Sequence, residues 1–228
     1  MGVHKYNYNW DFFEKDSEEL YYFLGFIAAD GYISNGEIEI GLNEKDLSLL
    51  QKFRDLIVPN KPIYHKKRTN SYTLKISCLN KINNFKKFYS MVSNKKHDEM
   101  LYPNIPDKYQ KHFIRGYIDG DGTIGPTKSY QIVKGVKKTY IGLRLRILGN
   151  ENFLKELNAT TQQFCQHKTK AINKKKGENV YCITYNFKTA DSILQWLYED
   201  ATIYLDRKYN KYIELKKSWR YSLDPLLN

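Results

Sequence analysis

The sequence predicts an α+β fold assembled from two related halves. Two observations lead there. The pattern Phe23-Leu24-Gly25-Phe26-Ile27-Ala28-Ala29-Asp30-Gly31 recurs as Ile114-Arg115-Gly116-Tyr117-Ile118-Asp119-Gly120-Asp121-Gly122. Adding 91 to Gly25, Ile27, Asp30, Gly31 and Ile33 lands on Gly116, Ile118, Asp121, Gly122 and Ile124 without a gap. After each copy, stretches with helical apolar spacing take turns with stretches that alternate apolar and polar, in the same order both times.

In the first half, Asp16 or Ser17 can cap a helix. Its acidic start, Glu18-Glu19, suits the positive end of the helix dipole, and Leu20, Phe23, Leu24 and Ile27 form its apolar stripe. Gly31 is placed to end it. Asn35-Gly36 is a two-residue hairpin signal, and Ile38, Ile40 and Leu42 alternate along the strand that follows. A helix is expected from about 44 to 57, ended by Pro59 and Pro62. A second hairpin turns at Thr69-Asn70-Ser71 between strands over 62–68 and 71–78, and a helix over about 81–92 closes the half.

The stretch from Ser93 to Pro106 combines Asn, Lys and His with two prolines and reads as the connection between halves. The predicted division is 1–93 for the first half, 94–106 for the linker, and 107–228 for the second half with a C-terminal helical extension. The second half repeats the order. It has a helix at about 107–120, strands near 123–133 and 137–147 turning at Gly135, and a helix from about 150. Strands near 167–173 and 179–186 follow, joined by the basic turn Asn173-Lys174-Lys175-Lys176-Gly177, and then a helix at about 188–199. Each half thus reads helix, strand, strand, helix, strand, strand, helix. A last Tyr- and Lys-rich helix over 204–219 has no twin, and two copies are too few for a solenoid.

A chain of 228 residues with 41% hydrophobic and 15% aromatic content can build one large core or two small ones. Its 37 Lys and Arg against 25 Asp and Glu leave a net charge of +12. That balance points to a polyanionic partner, because bound cations release counterions from phosphates. Cys78, Cys165 and Cys182 are odd in number and lack CxxC spacing, which argues for reduced thiols and against structural zinc. No stretch approaches the roughly 18 apolar residues of a membrane span, and the N-terminus opens onto Asn, Trp and Asp. An intracellular location, in cytoplasm, nucleoid or an organelle, is expected, with no membrane partner.

The repeated pattern has its own physical reading. Gly25 and Ala29 are four apart, as are Gly116 and Gly120, so each helix has a face stripped of bulk where two backbones can approach. If the helices pack there, Asp30 and Asp121 meet at their ends. Two carboxylates at the negative ends of helix dipoles call for a cation, and a hard divalent ion such as Mg2+ takes carboxylate and carbonyl oxygens while phosphates complete its shell. Such a metal beside a basic surface points to phosphodiester hydrolysis. An Asp-Gly pair is also an ordinary helix stop, but two copies in one register favour the metal.

The two copies resemble the motif of the LAGLIDADG homing endonucleases, in the single-chain form with two motifs, and the resemblance runs from about Leu20 to about Lys211. It implies two tandem αββαββα halves related by a pseudo-twofold axis. The motif helices would form the interface, and the antiparallel sheets a DNA-binding saddle. It implies that Asp30 and Asp121 hold the catalytic metals, Mg2+ or Mn2+, with the carbonyls of Ala29 and Gly120 as auxiliary ligands. Ala28 stands where the second copy has Asp119. The metal acid of the family is the later one, present in both copies, so Asp119 is read as a capping or structural carboxylate.

Relatives also place a lysine after the last helix of each half, near the metals, where it stabilises charge developing on the phosphate. The segment Ala201 to Tyr209 looks like that region and implies Lys208; Asn94-Lys95-Lys96-His97 holds the corresponding place in the first half and implies Lys96 over Lys95. A polar residue after the second strand approaches the scissile region in the family. That marks Asn43 and Asn150, although each precedes a Glu and could equally cap a helix.

The DNA-binding candidates are Lys66, Lys67 and Arg68 in the first half, and Lys128, Lys137, Lys138, Arg144, Arg146, Lys174, Lys175 and Lys176 in the second. Two-stranded ribbons fit the major groove, where Arg and Lys read guanine edges or grip phosphate. Arg144 and Arg146 share a strand face, opposite Leu143, Leu145 and Ile147. The histidines show no metal or nuclease spacing, and His112 is expected to be a surface or packing residue.

The resemblance implies a monomeric, site-specific homing endonuclease of the kind that drives intron homing. It would hydrolyse both strands of a long double-stranded DNA target across the minor groove and leave 3′ overhangs. The alternatives are an RNA maturase assisting the splicing of a group I intron RNA, and a non-cleaving DNA-binding regulator of the same fold.

Overall fold

Ser17 has an extended backbone, and its side-chain oxygen accepts from the Leu20 amide at 3.1 Å, which starts α1 (Glu18–Asp30) at an expected cap. The computed structural model describes residues 6–89, 91 and 99–223. Every residue of α1 from Leu20 to Ile27 is buried, so the helix is apolar all round and forms a core element.

The hairpin of β1 (Tyr32–Ser34) and β2 (Glu37–Asn43) turns at Asn35-Gly36, with Gly36 at a φ of +77°. The helix expected from 44 begins as a 3₁₀ turn at Glu44–Asp46 and becomes regular in α2 (Leu47–Ile57). The strand expected over 62–68 is only β3 (Tyr64–Lys66). Lys67–Thr69 coil into a 3₁₀ turn, and Asn70, left-handed at a φ of 44°, hands the chain to β4 (Ser71–Ser77). The helix α3 (Leu79–Phe88) starts two residues earlier than expected. The antiparallel sheet has the order β1-β2-β4-β3, and Ile38↔Ile76 and Ile40↔Leu74 set its buried face against the helices.

The described part of the connecting stretch is anchored to the helix that follows it. Met100 and Ile105 are buried, the Tyr102 hydroxyl donates to Gln110 Oε1 at 2.6 Å, and Gln110 Nε2 donates to the Ile105 carbonyl at 2.8 Å. That helix, α4 (Gln110–Asp121), is buried at every position from His112 to Asp119.

The second copy continues with β5 (Thr123–Val133), β6 (Val136–Gly149), α5 (Glu151–Cys165), β7 (Ile172–Lys174), β8 (Tyr181–Asn186) and α6 (Phe187–Tyr198). Its sheet, β5-β6-β8-β7, repeats the first strand order. The β5–β6 hairpin is much the longer, with strands of 11 and 14 residues against 3 and 7 in the first. A two-residue turn, Lys134-Gly135, joins it, with both residues at positive φ. The strand expected from 167 begins only at Ile172, because α5 ends on Gln166 in the left-handed region. The unmatched last helix is α7 (Asp206–Leu223).

The chain packs as two units. One holds the chain up to Gly120 together with Ala201–Leu205; the other holds Asp121–Asp200 and the chain from Asp206 onward. Among the described residues no helix is long and apolar enough to cross a membrane.

Candidate active site and nucleic-acid interface

The small-residue faces meet inside the first unit. A Cβ on Gly25 would overlap the Phe113 carbonyl and lie 2.8 Å from the Tyr117 nitrogen; one on Gly116 would overlap the Tyr22 carbonyl and lie 2.9 Å from the Phe26 nitrogen. Shifting Gly25, Tyr22 and Phe26 by 91 gives Gly116, Phe113 and Tyr117, so the two contacts are the same contact seen from either helix. Farther along, a Cβ on Gly120 would strike the Ala29 methyl and stand 3.5 Å from the Asp30 nitrogen. Backbones approach this closely only because the motif supplies no side chain there.

Asp30 is the last residue of α1 and Asp121 the last of α4, and both are partly exposed. The donors at these helix ends are carboxylate and carbonyl oxygens, those of Ala29 and Gly120 included. This chemistry fits a hard divalent cation and not a thiophilic one.

Lys208, in the first turn of α7, is 7% exposed, and its Nζ donates to the Gly122 carbonyl at 2.7 Å. Its ammonium is therefore held one residue beyond Asp121. Lys96 lies outside the described residues. Both candidate asparagines cap helices. Asn43 accepts from the Lys45 amide at 3.3 Å, and Asn150 accepts from the Phe153 amide at 2.8 Å.

Sequence reasoning missed a buried polar cluster. Arg115 takes the register position of Leu24 yet is fully buried. Its Nε donates to the Ile203 carbonyl at 2.9 Å and its Nη2 to Glu18 Oε1 at 2.5 Å, while the guanidinium lies 5.4 Å from the Tyr22 ring centroid. Glu18 Oε1 also accepts from the Thr202 amide at 2.8 Å. Burial alone would raise the Glu18 carboxyl, but the Thr202 amide and the Arg115 charge hold it below the usual range.

His112 Nδ1 lies 3.1 Å from Arg115 Nη2. A guanidinium can only donate, so Nδ1 accepts and the imidazole is neutral. Burial, and then the Arg115 charge, push its pKa down to about 4, against the opposing pull of Glu18. His112 is thus a packing residue. The one signal in the sequence was a charged residue in an apolar register.

The open faces of the two sheets differ in charge. In the first, Glu37 and Glu39 face Ser77 and Lys75 across the ladder, Lys75 bridges both glutamates at 2.9 and 3.0 Å, and Lys66 pairs with Glu39 at 2.9 Å. Lys67 and Arg68 are exposed on the 3₁₀ turn. In the second, the face carrying Arg144 and Arg146 also holds Lys138, Tyr140, Thr127, Ser129, Gln131 and Thr184, and no acid among these positions.

The candidate cations of this hairpin therefore split. Lys138, Arg144 and Arg146 share the polar face, while Lys128 and Lys137 stand on the other with exposed Tyr130, Ile132 and Ile141. Lys137 lies 4.3 Å from the Tyr130 ring centroid. Arg146 Nε donates to Cys182 Sγ at 3.0 Å, whereas Arg144 Nε is buried with no hydrogen-bond partner among the described residues. Lys174 lies near the Tyr181 ring, Lys175 pairs with Glu178 at 2.7 Å, and Lys176 is exposed.

No protein-family profile matches the chain, and no curated protein is similar to it in sequence. Solved structures are similar to it in fold. The I-LtrWI LAGLIDADG homing endonuclease bound to target DNA matches with a TM-score of 0.60 at 15% identity, over 93% of this chain and 91% of that one. The I-SmaMI LAGLIDADG homing endonuclease bound to cleaved DNA matches with a TM-score of 0.60 at 13% identity, over 91% and 90%. The LAGLIDADG meganuclease I-AabMI bound to uncleaved DNA matches with a TM-score of 0.61 at 14% identity, over 91% and 94%. With its two four-stranded antiparallel sheets and seven α-helices among the described residues, the chain has the fold of the LAGLIDADG homing endonucleases.

Proposed function

We propose that this protein is a monomeric, site-specific DNA endonuclease that hydrolyses both strands of a double-stranded target with Mg2+ or Mn2+, as a homing endonuclease does. The observation that carries the reading is the pair of buried helices, packed through reciprocal glycines, that each end on an aspartate. A carboxylate at the negative end of a helix dipole is unfavourable without a cation. Asp30 and Asp121, with the carbonyls of Ala29 and Gly120 as auxiliary ligands, would bind the metals. What the bound ion would supply is an activated water and a counter-charge for the leaving oxygen.

The remaining work falls to side chains. Lys208, held at the Gly122 carbonyl, offers positive charge to the phosphate as negative charge grows on it. Lys96 is proposed for the same role in the first half. On the second unit, Lys138, Arg144 and Arg146 would meet the DNA, and a phosphate or base oxygen would satisfy the buried Arg144 Nε. On the first, Lys67 and Arg68 are the freer cations, since Lys66 already has Glu39. Lys128, Lys137, Lys174, Lys175 and Lys176 are proposed as phosphate contacts rather than base readers. The neighbours of like fold that hold DNA, one of them cleaved DNA, support this partner and this chemistry.

The test is cleavage of a randomised duplex library with Mg2+ by the wild type, Asp30→Asn and Asp121→Asn. Cutting by the wild type that disappears in either variant is the expected result. Tight duplex binding without cutting would replace the proposal with a DNA-binding regulator. Tight binding of a group I intron RNA without cutting would replace it with a maturase.

A further inference from the structure

Besides Leu24 against Arg115, the two motif copies differ at a second position whose side chain makes hydrogen bonds in the structure. Ala28 of the first copy corresponds to Asp119 of the second. Asp119 is 1% exposed, and its Oδ2 accepts two hydrogen bonds at 2.8 Å, from the Tyr22 hydroxyl and from the Leu205 amide. Leu205, itself 2% exposed, immediately precedes α7. Three residues after Asp119 comes Gly122, and three residues after Leu205 comes Lys208, which donates to the Gly122 carbonyl. The end of the second motif and the start of α7 are therefore tied by Asp119 to Leu205 and by Lys208 itself.

Resting on the nuclease reading above, we propose that Asp119 is a positioning residue that sets Lys208 for one strand cut, and that Ala28 leaves the first motif without the equivalent carboxylate. Tyr22 locks the carboxylate on one side, and the carboxylate locks the backbone from which α7 departs. Lys208 is thereby fixed in depth and direction before substrate arrives, which matters because a displacement of about 1 Å at a reacting group can cost about 100-fold in rate. The methyl of Ala28 accepts no hydrogen bond, so the first motif has no counterpart to this carboxylate. The asymmetry of the motifs becomes an asymmetry between the two cuts. A carboxylate that merely stabilised the fold would affect both alike.

The experiment uses the full-length protein and a cognate duplex carrying a different fluorophore on each strand, under single-turnover conditions with Mg2+. Asp119→Ala should slow cleavage of one strand about 10- to 100-fold and leave the other within about twofold, so nicked duplex accumulates. Lys208→Met should slow the same strand. The double variant should be no slower on that strand than Lys208→Met alone, since a residue acting through another adds nothing once that other is gone. Asp119→Asn, which keeps an acceptor oxygen, should restore most of the rate.

Equal slowing of both strands, or no slowing, overturns the inference while leaving the nuclease reading intact. Absence of cutting by the wild type overturns both. If Asp119→Ala does not fold, Tyr22→Phe removes one donor to Asp119 with little change of volume and should show the same strand bias at a few-fold. Equal strand rates in that variant overturn the proposal.

Discussion

Replacing Gly25 with alanine sets two physical effects against each other, and the structure decides the sign. By intrinsic helix propensity, Gly→Ala inside a helix stabilises by about 1 kcal/mol. In α1, however, the new methyl would overlap the Phe113 carbonyl and stand 2.8 Å from the Tyr117 nitrogen. Both are backbone atoms of α4 and cannot rotate away as a side chain would. The helices must separate by more than about half an ångström, and such a gap forfeits about a quarter or more of each dispersion contact along it.

Overpacking of this kind costs about 1–3 kcal/mol, and rigid neighbours place it at the upper end, so a net loss of about 2 kcal/mol is expected after the propensity gain. Urea unfolding followed by far-ultraviolet circular dichroism and by tryptophan fluorescence measures it. Gly116→Ala should behave alike. The double variant should lose less than the two singles together, because one separation accommodates both methyls. Gly41→Ala is the control, since its nearest neighbour is Thr73 Oγ1 at 3.8 Å. Equal or greater stability of Gly25→Ala would refute the close helix contact.

Arg115→Met should cost about 3 kcal/mol, because it leaves the partly buried Glu18 carboxylate and the buried Ile203 carbonyl without the guanidinium; adding Glu18→Gln should recover part of that loss in the same urea titration. His112 stays neutral in the folded protein down to about pH 4, while the unfolded chain takes up its proton near the ordinary histidine value of 6.5. The unfolded state therefore binds more protons between those values, and stability should fall as pH drops through this window, by up to about 3 kcal/mol. His112→Gln should flatten that part of the profile, and a parallel slope in wild type and variant would refute the assignment.

Much of the architecture could be read from residue order because it rests on short-range physics. Ser17, Asn35-Gly36, Lys134-Gly135 and the alternation around Ile38 and Leu143 each act within a few residues, so caps, turns and strand faces fell close to where they were expected. The errors were at strand ends, where a left-handed Asn70 or Gln166 took the chain out of the sheet early. Alternation also held information about charge that composition hides. Glu37 and Glu39 share the open face with Lys66 and Lys75, so the first sheet is far less basic than the net charge of +12 suggests.

The sequence by itself determined the duplication, the order of elements and the two terminal aspartates, because each is written in local spacing or in a register of 91 residues. Tertiary structure alone decided which buried charges are tolerated and what they hold. Arg115 finds Glu18 across 97 residues, and Asp119 finds Leu205 across 86. Those partners are chosen by packing, since a buried ion must be met wherever the fold brings a donor or acceptor to it, and no local pattern records that meeting.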